Sequence, residues 1–185
     1  MPKVHLLSAG YIGDGVASSV SLIEADDALI VVDPGMVRAR GAILDPIAGL
    51  GYRPEDVTDV IISHHHPDHT MNIALFPDAS VHDHWATYRD DQWTSRPAEG
   101  FVVASGVTLW ETPGHTPQDI TTIVEEEAGV VALTHLWWTA TLPLEDPYAT
   151  DPDALHRGRR RVFDLATTII PGHGTMFTPD DDTPR

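Results

Sequence analysis

The sequence predicts an α+β chain of many short strands and two helices, on three observations. Apolar runs of four to eight residues recur between turn residues along most of the chain. Helical signals are confined to residues 39–50 and 152–166. The length of 185 residues suits one domain with a core of its own. In chain order, strands are expected at Val4 to Ser8, Ser18 to Ala25 and Ala28 to Asp33, with Asp26-Asp27 as a hairpin turn. Val32-Asp33-Pro34-Gly35 is a strand running into a sharp turn. The helix from Ala39 to Leu50 is weakened or shortened by Pro46 and Gly49-Leu50-Gly51.

Thr58-Asp59-Val60-Ile61-Ile62 reads as a buried strand, and it delivers the chain into Ser63-His64-His65-His66-Pro67-Asp68-His69-Thr70. Short strands follow at Ala79 to His82, Phe101 to Val103 and Val107 to Glu111. A loop spans Pro113-Gly114-His115-Thr116-Pro117, and a hairpin pairs Ile120 to Glu125 with Gly129 to Leu133. Asp151-Pro152-Asp153 supplies an N-cap, a proline at the first helical position and an acidic first turn, so a helix is expected to about Ala166. A last strand, Thr168 to Ile170, ends at Pro171-Gly172-His173-Gly174. Residues 1–178 are expected to form a single domain and 179–185, rich in aspartate, a frayed tail.

Composition narrows the chemistry. With no cysteine, a metal has to be held by imidazole and carboxylate, and neither disulfides nor thiol nucleophiles are available. Acidic residues outnumber basic ones 28 to 11 for a formal charge of -17, and Lys3 is the one lysine. Such a field repels polyanions and counts against nucleic acid, unless a local basic patch overrides it. There is no charged-then-apolar leader pattern and no run long enough to span a membrane, so the expectation is a cytoplasmic protein without a membrane partner. A homodimer is left open.

The histidines share a position in the pattern. His64, His66, His69, His115 and His173 lie in loops that directly follow apolar strands, so three strand ends are candidates to converge. Where a loop leaves a strand, alternate residues can turn the same way, which lets His64 and His66 grip one cation while His65 points elsewhere. His115 is the expected third ligand. Asp68 and His69 are candidates for a second cation with His173. One isolated histidine is more often a surface or core residue than a ligand; the joint arrangement is what points to metal.

His64-x-His66-x-Asp68-His69, with His115 in Thr112-Pro113-Gly114-His115-Thr116, His173 in Pro171-Gly172-His173-Gly174, and the turn at Val31-Val32-Asp33-Pro34-Gly35, resembles the metallo-β-lactamase fold superfamily over nearly the whole chain. Residues 69–77, and Arg159-Arg160-Arg161-Val162 leading to Ile169 through Gly174, are similar to the compact group typified by metallo-β-lactamase domain-containing protein one, some members of which are linked to RNA cleavage. The resemblance implies a four-layer αββα sandwich with the site at one edge of the two sheets, hydrolysis as the usual chemistry, and one or two divalent ions, zinc by precedent. Histidine and carboxylate donors suit iron and manganese as well.

One position departs from that family. Where most di-metal members carry a bridging aspartate after the strand Val130 to Thr134, this chain has His135. A carboxylate spans two cations, whereas a neutral imidazole offers one lone pair. Three outcomes are open: His135 is a terminal ligand of one cation; a single cation is retained; or His135 lies outside the ligand set and an acid such as Glu145 or Asp146 substitutes, or the site has decayed.

The expected nucleophile is a metal-bound hydroxide, with Asp68 orienting the water and taking its proton. Asp33 and Asp59 are read as supports behind the ligands. His82 and His84 are candidate proton donors but fit an edge strand better. Trp137 and Trp138 are candidate walls of the substrate cleft, with core packing equally open. Arg157 to Arg161 spread around a helix as salt-bridge partners more readily than as a phosphate clamp. The leading function is hydrolysis of a small ester-type substrate such as a thioester or lactone. Phosphodiester cleavage, mononuclear iron oxygen chemistry and a non-catalytic metal-binding module are the alternatives.

Overall fold

The computed structural model describes residues 1–185. Its strands are β1 (Lys3–Ser8), β2 (Tyr11–Ile12), β3 (Val16–Ala17), β4 (Val20–Glu24), β5 (Leu29–Val32), β6 (Asp59–Ile61) and β7 (Ser80–His82) in the first half, followed by β8 (Ala86–Arg89) and β9 (Gln92–Ser95). The second half contributes β10 (Val102–Ala104), β11 (Val107–Glu111), β12 (Ile120–Glu126), β13 (Gly129–Thr134) and β14 (Thr168–Pro171). Helices are α1 (Gly41–Gly49), α2 (Pro67–Thr70) and α3 (Pro152–Phe163). β1 and β4 to β9 form one seven-stranded sheet in the order β1-β4-β5-β6-β7-β8-β9. β10 to β14 form a five-stranded sheet in sequence order, and β2 and β3 make a separate hairpin.

Alternation along the strands sorts side chains into layers. Ile30 and Val32 of β5 face the other sheet, joining Val107, Leu109, Val124, Leu133 and Ile170 in a buried cluster between the two sheets. Their neighbours Leu29 and Val31 face the opposite way, onto Ile43 and Ile47 of α1. The outer face of the second sheet, through Ile123, Ala132 and Ile169, meets Leu155 and Val162 of α3. Helix, sheet, sheet, helix is the four-layer order expected.

α1 continues through Pro46 and ends at Gly49, a shorter helix than the span from Ala39 to Leu50. α3 starts as anticipated, with Asp151 Oδ1 accepting the Ala154 amide at 2.9 Å and proline at the first helical position. The hairpin β2–β3 and the pair β8–β9 were not anticipated; two-residue strands leave no readable alternation, and β9 is exposed along its length. The C-terminal residues make several contacts with the domain. Trp137 Nε1 donates to Pro184 O at 2.7 Å, His156 Nδ1 donates to Arg185 O at 2.8 Å, and the Arg185 guanidinium lies over the Phe163 ring at 3.9 Å.

β5, β6 and β7 run parallel, as do β13 and β14, while β11 and β13 share a direction because both are antiparallel to β12. The segments after β5, β6, β11, β13 and β14 carry Asp33, residues 63–69, His115, His135 and His173, and they meet at one rim. Ile120 N donates to Ser63 O at 2.9 Å, which ties the two sheets together there.

Candidate metal centre

His66 is the extended residue that caps α2, and Pro67 occupies its first turn, so the backbone passes from extended to helical between His66 and Asp68. The donors on either side of that change fall into two groups. His64 Nε2 and His115 Nε2 lie 3.1 and 3.0 Å from His66 Nδ1. Beside them, Asp68 Oδ2 lies 3.6 Å from His69 Nε2 and 3.7 Å from His173 Nε2. Donors about 2.0 Å from a tetrahedral cation stand roughly 3.3 Å apart, so both spacings suit a divalent ion. His69 Nε2 is moreover buried with no hydrogen-bond partner, which is the condition of a donor atom awaiting an ion.

The far ring nitrogens are held from behind. His69 Nδ1 donates to Asp33 Oδ2 at 2.9 Å, His115 Nδ1 to Asp146 Oδ2 at 2.9 Å, and His173 Nδ1 to the Ala17 carbonyl at 2.8 Å. Each bond fixes the tautomer that leaves an Nε2 lone pair facing inward. Asp33 also accepts the Ser63 amide at 2.7 Å through Oδ1, from a left-handed backbone conformation with φ 51°. Asp33 therefore has the supporting position expected of it. Asp59 does not: it binds His82 Nε2 at 2.8 Å and Thr58 Oγ1 at 2.7 Å, away from the ligand groups.

His135 is fully inside the cluster. Its ring centroid is 4.3 Å from that of His115, 4.6 Å from His64 and 4.9 Å from His69, and its Nε2 is 3.2 Å from His173 Nε2. The ring thus sits between the two groups, and its Nδ1 is buried without a partner. Asp146 groups with His115 and His135, but its Oδ2 is engaged by His115 Nδ1 and by Trp138 Nε1 at 2.8 Å. It stands behind His115 and does not take the bridging place. Glu145 is exposed and pairs with His156 at 3.6 Å.

Burial biases four of the imidazoles toward the neutral form. His64 and His135 are pushed well below their ordinary 6.5 by desolvation, then by neighbouring imidazoles, and His66 and His173 are lowered as well, also mainly by desolvation. Burial raises the Asp146 carboxyl, but hydrogen bonds from His115, the Tyr148 amide and Trp138 outweigh it and leave the net shift downward. The sign for stability follows. A histidine with a lowered folded pKa binds its proton preferentially in the unfolded chain, so its contribution is complete above about 6.5 and is lost as pH falls below that value. The metal-free protein should therefore lose stability on acidification from pH 7 to 5, with His64, His135 and His173 each adding up to about 1.4 kcal/mol per pH unit. Denaturant titrations at several pH values check this; a flat profile over that range would contradict it.

Above the cluster is a cavity of about 500 Å³. His66, Asp68, His115 and His173 form its floor, Ile12, Gly13, Gly15 and Val16 of the β2–β3 hairpin one side, and Trp138 and Tyr148 the other. The last two rings stack at 5.9 Å. Trp137, the other candidate wall, is buried in the core instead. His65 turns outward onto Asp83 at 2.9 Å, while His82 bonds Thr87 and Asp59, so neither lines the cavity. The arginines are elsewhere too: Arg161 pairs with Glu99 at 2.6 Å, Arg157 with Asp151 at 3.7 Å, and Arg159 is buried. Sequence reasoning missed the hairpin, Tyr148 and the role of Asp146 behind His115. The segment carrying Asp146 and Tyr148 is irregular, so no periodicity announced which side chains turn inward.

A family model described as Metallo-beta-lactamase superfamily matches residues 13–177. The mouse protein named metallo-beta-lactamase domain-containing protein 1 is 36% identical over 171 residues, covering 86% of this chain; the chain spans 65% of that relative's length. An N-acyl homoserine lactonase of Bacillus cereus is 28% identical over 151 residues, 61% of this chain and 60% of the lactonase. Among solved structures, one described as a putative metallo-beta-lactamase from Thermotoga maritima superposes with a TM-score of 0.76 over 96% of this chain and 99% of that one, at 20% identity.

Proposed function

The chain belongs to the metallo-beta-lactamase superfamily, and from that premise we propose that it hydrolyses a small ester-type substrate, a thioester, a lactone or a close analogue. The observation that carries the reading is the pairing of two three-donor groups at the floor of a cavity with apolar and aromatic sides. The proposed ligands are His64, His66 and His115 for one cation and Asp68, His69 and His173 for the second, with His135 between them. Bound there, a divalent cation lowers the pKa of a coordinated water and polarises the bond to be cleaved.

The chain's own residues do the rest. Asp68 commits Oδ2 toward His69 and His173; Oδ1 is the proposed acceptor for the proton of the attacking water, and it returns that proton to the leaving alcohol or thiol as the acyl bond breaks. Trp138 and Tyr148 on one side, and Ile12 and Val16 on the other, hold an acyl or ring portion by burial and keep bulk water from it. No lysine or arginine lines the cavity, which favours esters over phosphodiesters.

Elemental analysis of protein purified without added metal or chelating resin, set beside a His135→Asp variant, tests the metal side. About two ions per chain in the parent are expected, and a parent with one ion that rises to two in the variant would make the site mononuclear. Screening the loaded protein against thioesters, lactones and bis(p-nitrophenyl) phosphate tests the substrate side. Cleavage confined to the phosphodiester would overturn the ester reading, and a single iron with oxygen-dependent turnover would overturn hydrolysis itself.

A further inference from the structure

We propose that Arg159, a residue of the basic run on α3 with no place in the chemistry above, is a positioning residue for His115, acting through the segment that carries Asp146. The inference rests on the metal-centre reading of His115.

Arg159 is fully buried, and no carboxylate lies within ion-pair distance of it. Its guanidinium is satisfied by backbone carbonyls: Nε donates to Leu136 O at 2.9 Å, Nη1 to Leu144 O at 2.7 Å, and Nη2 to Pro143 O at 2.8 Å. A buried cation hydrogen-bonded only to neutral acceptors is costly, a cost that the charges of Asp146 and Glu145 offset in part, and truncating it leaves three carbonyls unpaired as well. What the arrangement provides is geometry. Leu136 directly follows His135, and Leu144 precedes Asp146 by two residues, so one planar group sets the spacing between the end of β13 and the irregular segment beyond it.

In that segment Leu142 pairs through its backbone with Trp138 and Thr139, but between it and Asp146 the side chain of Leu144 is exposed, as is that of Leu142, so Arg159 supplies the buried anchors of residues 143 and 144. From that segment Asp146 reaches three partners: His115 Nδ1, Trp138 Nε1 and the Tyr148 amide at 2.9 Å. The His115 tautomer and the orientation of its Nε2 toward His66 depend on the first of these bonds. The path therefore runs from guanidinium to carbonyl anchors, to Asp146, to the imidazole. Lysine cannot replace the fork, because an ammonium on a flexible stem cannot address three carbonyls in one plane.

The test uses metal-free protein first. In ¹⁵N-labelled parent, the His115 Nδ1–H and Trp138 Nε1–H protons should be protected from exchange, as donors to a buried carboxylate are. In Arg159→Lys both are expected to exchange at least tenfold faster, while amides in β12 stay protected, and Asp146→Asn should move the same two signals. A second measurement is Zn²⁺ affinity by chelator competition, expected to fall about tenfold in Arg159→Lys and more in Asp146→Asn, with the double variant no weaker than Asp146→Asn alone. Unchanged exchange of both protons in Arg159→Lys, or additive losses in the double variant, would overturn the proposal. A parent that binds no Zn²⁺ or other divalent ion would instead sink the metal-centre reading, and the exchange data would still decide whether Arg159 positions His115.

Discussion

Replacing Asp68 with asparagine is expected to lower kcat on the best ester substrate by roughly 10²- to 10⁴-fold with the fold intact. The side chain is half-buried at the cavity floor, with one oxygen 3.6 and 3.7 Å from two imidazole nitrogens that present lone pairs. An amide of the same shape loses the negative charge and, in one of its two orientations, turns an N–H toward those lone pairs, which then accept a proton where a cation would bind. Weaker cation binding by the Asp68, His69 and His173 group and loss of the proton acceptor both follow. Kinetics at saturating metal, read beside metal content, separate the two. If kcat stays within tenfold of the parent when both ions are present, the acceptor role belongs to another group.

The second large effect is expected far from any reacting atom. Gly35 follows the left-handed Asp33 and lies against the α2 backbone so closely that a Cβ on it would stand 1.6 Å from the Asp68 carbonyl oxygen and 2.6 Å from His69 Cα. That carbonyl accepts the amides of Ser18 at 3.2 Å and Met36 at 3.0 Å, and Asn72 Nδ2 donates to Gly35 O at 2.6 Å, so neither segment is free to retreat. Gly35→Ala should cost about 3 kcal/mol, or roughly 6–12 °C in Tm, and should also weaken metal binding by displacing Asp68 and His69. Thermal unfolding and chelator competition measure the two consequences. A Tm shift under about 2 °C would mean that α2 moves aside easily and that the close approach has no structural weight.

The parts of this molecule that were legible in advance have short-range causes. β11 was located at its observed bounds because an apolar run ended by Pro113-Gly114 leaves little choice, and α3 because Asp151, Pro152 and Asp153 spell out a helix start. His64, His66, His69, His115 and His173 were readable as candidates because imidazoles rarely fall by chance after several buried strands, Asp68 because it shares their loop, and His135 only through the resemblance; the structure brings these seven side chains together. The resemblance supplied the sandwich; alternation alone would not have distinguished two packed sheets from other arrangements of short strands. Asp146 was named only as a substitute bridge, since nothing in residues 143–148 shows that Arg159 pulls their carbonyls inward. Trp137 and Trp138 were equivalent on paper. They separate in space because consecutive side chains point apart, one into the layer under α3 and the other into the cavity.

The acceptors behind His69, His115 and His173 have a kinetic meaning. Asp33, Asp146 and the Ala17 carbonyl each claim an imidazole proton on the outward side, so three lone pairs face inward before any ion arrives. His64, His66, His135 and His173 are also biased toward neutrality by burial, so at these four residues fewer protons have to leave when a cation binds. At His69, His115 and His173 loading is then an exchange of hydration shell for protein donors, with no tautomer to interconvert. His66, Asp68, His115 and His173 line the cavity, so an incoming cation meets them before it meets the buried His64, His69 and His135.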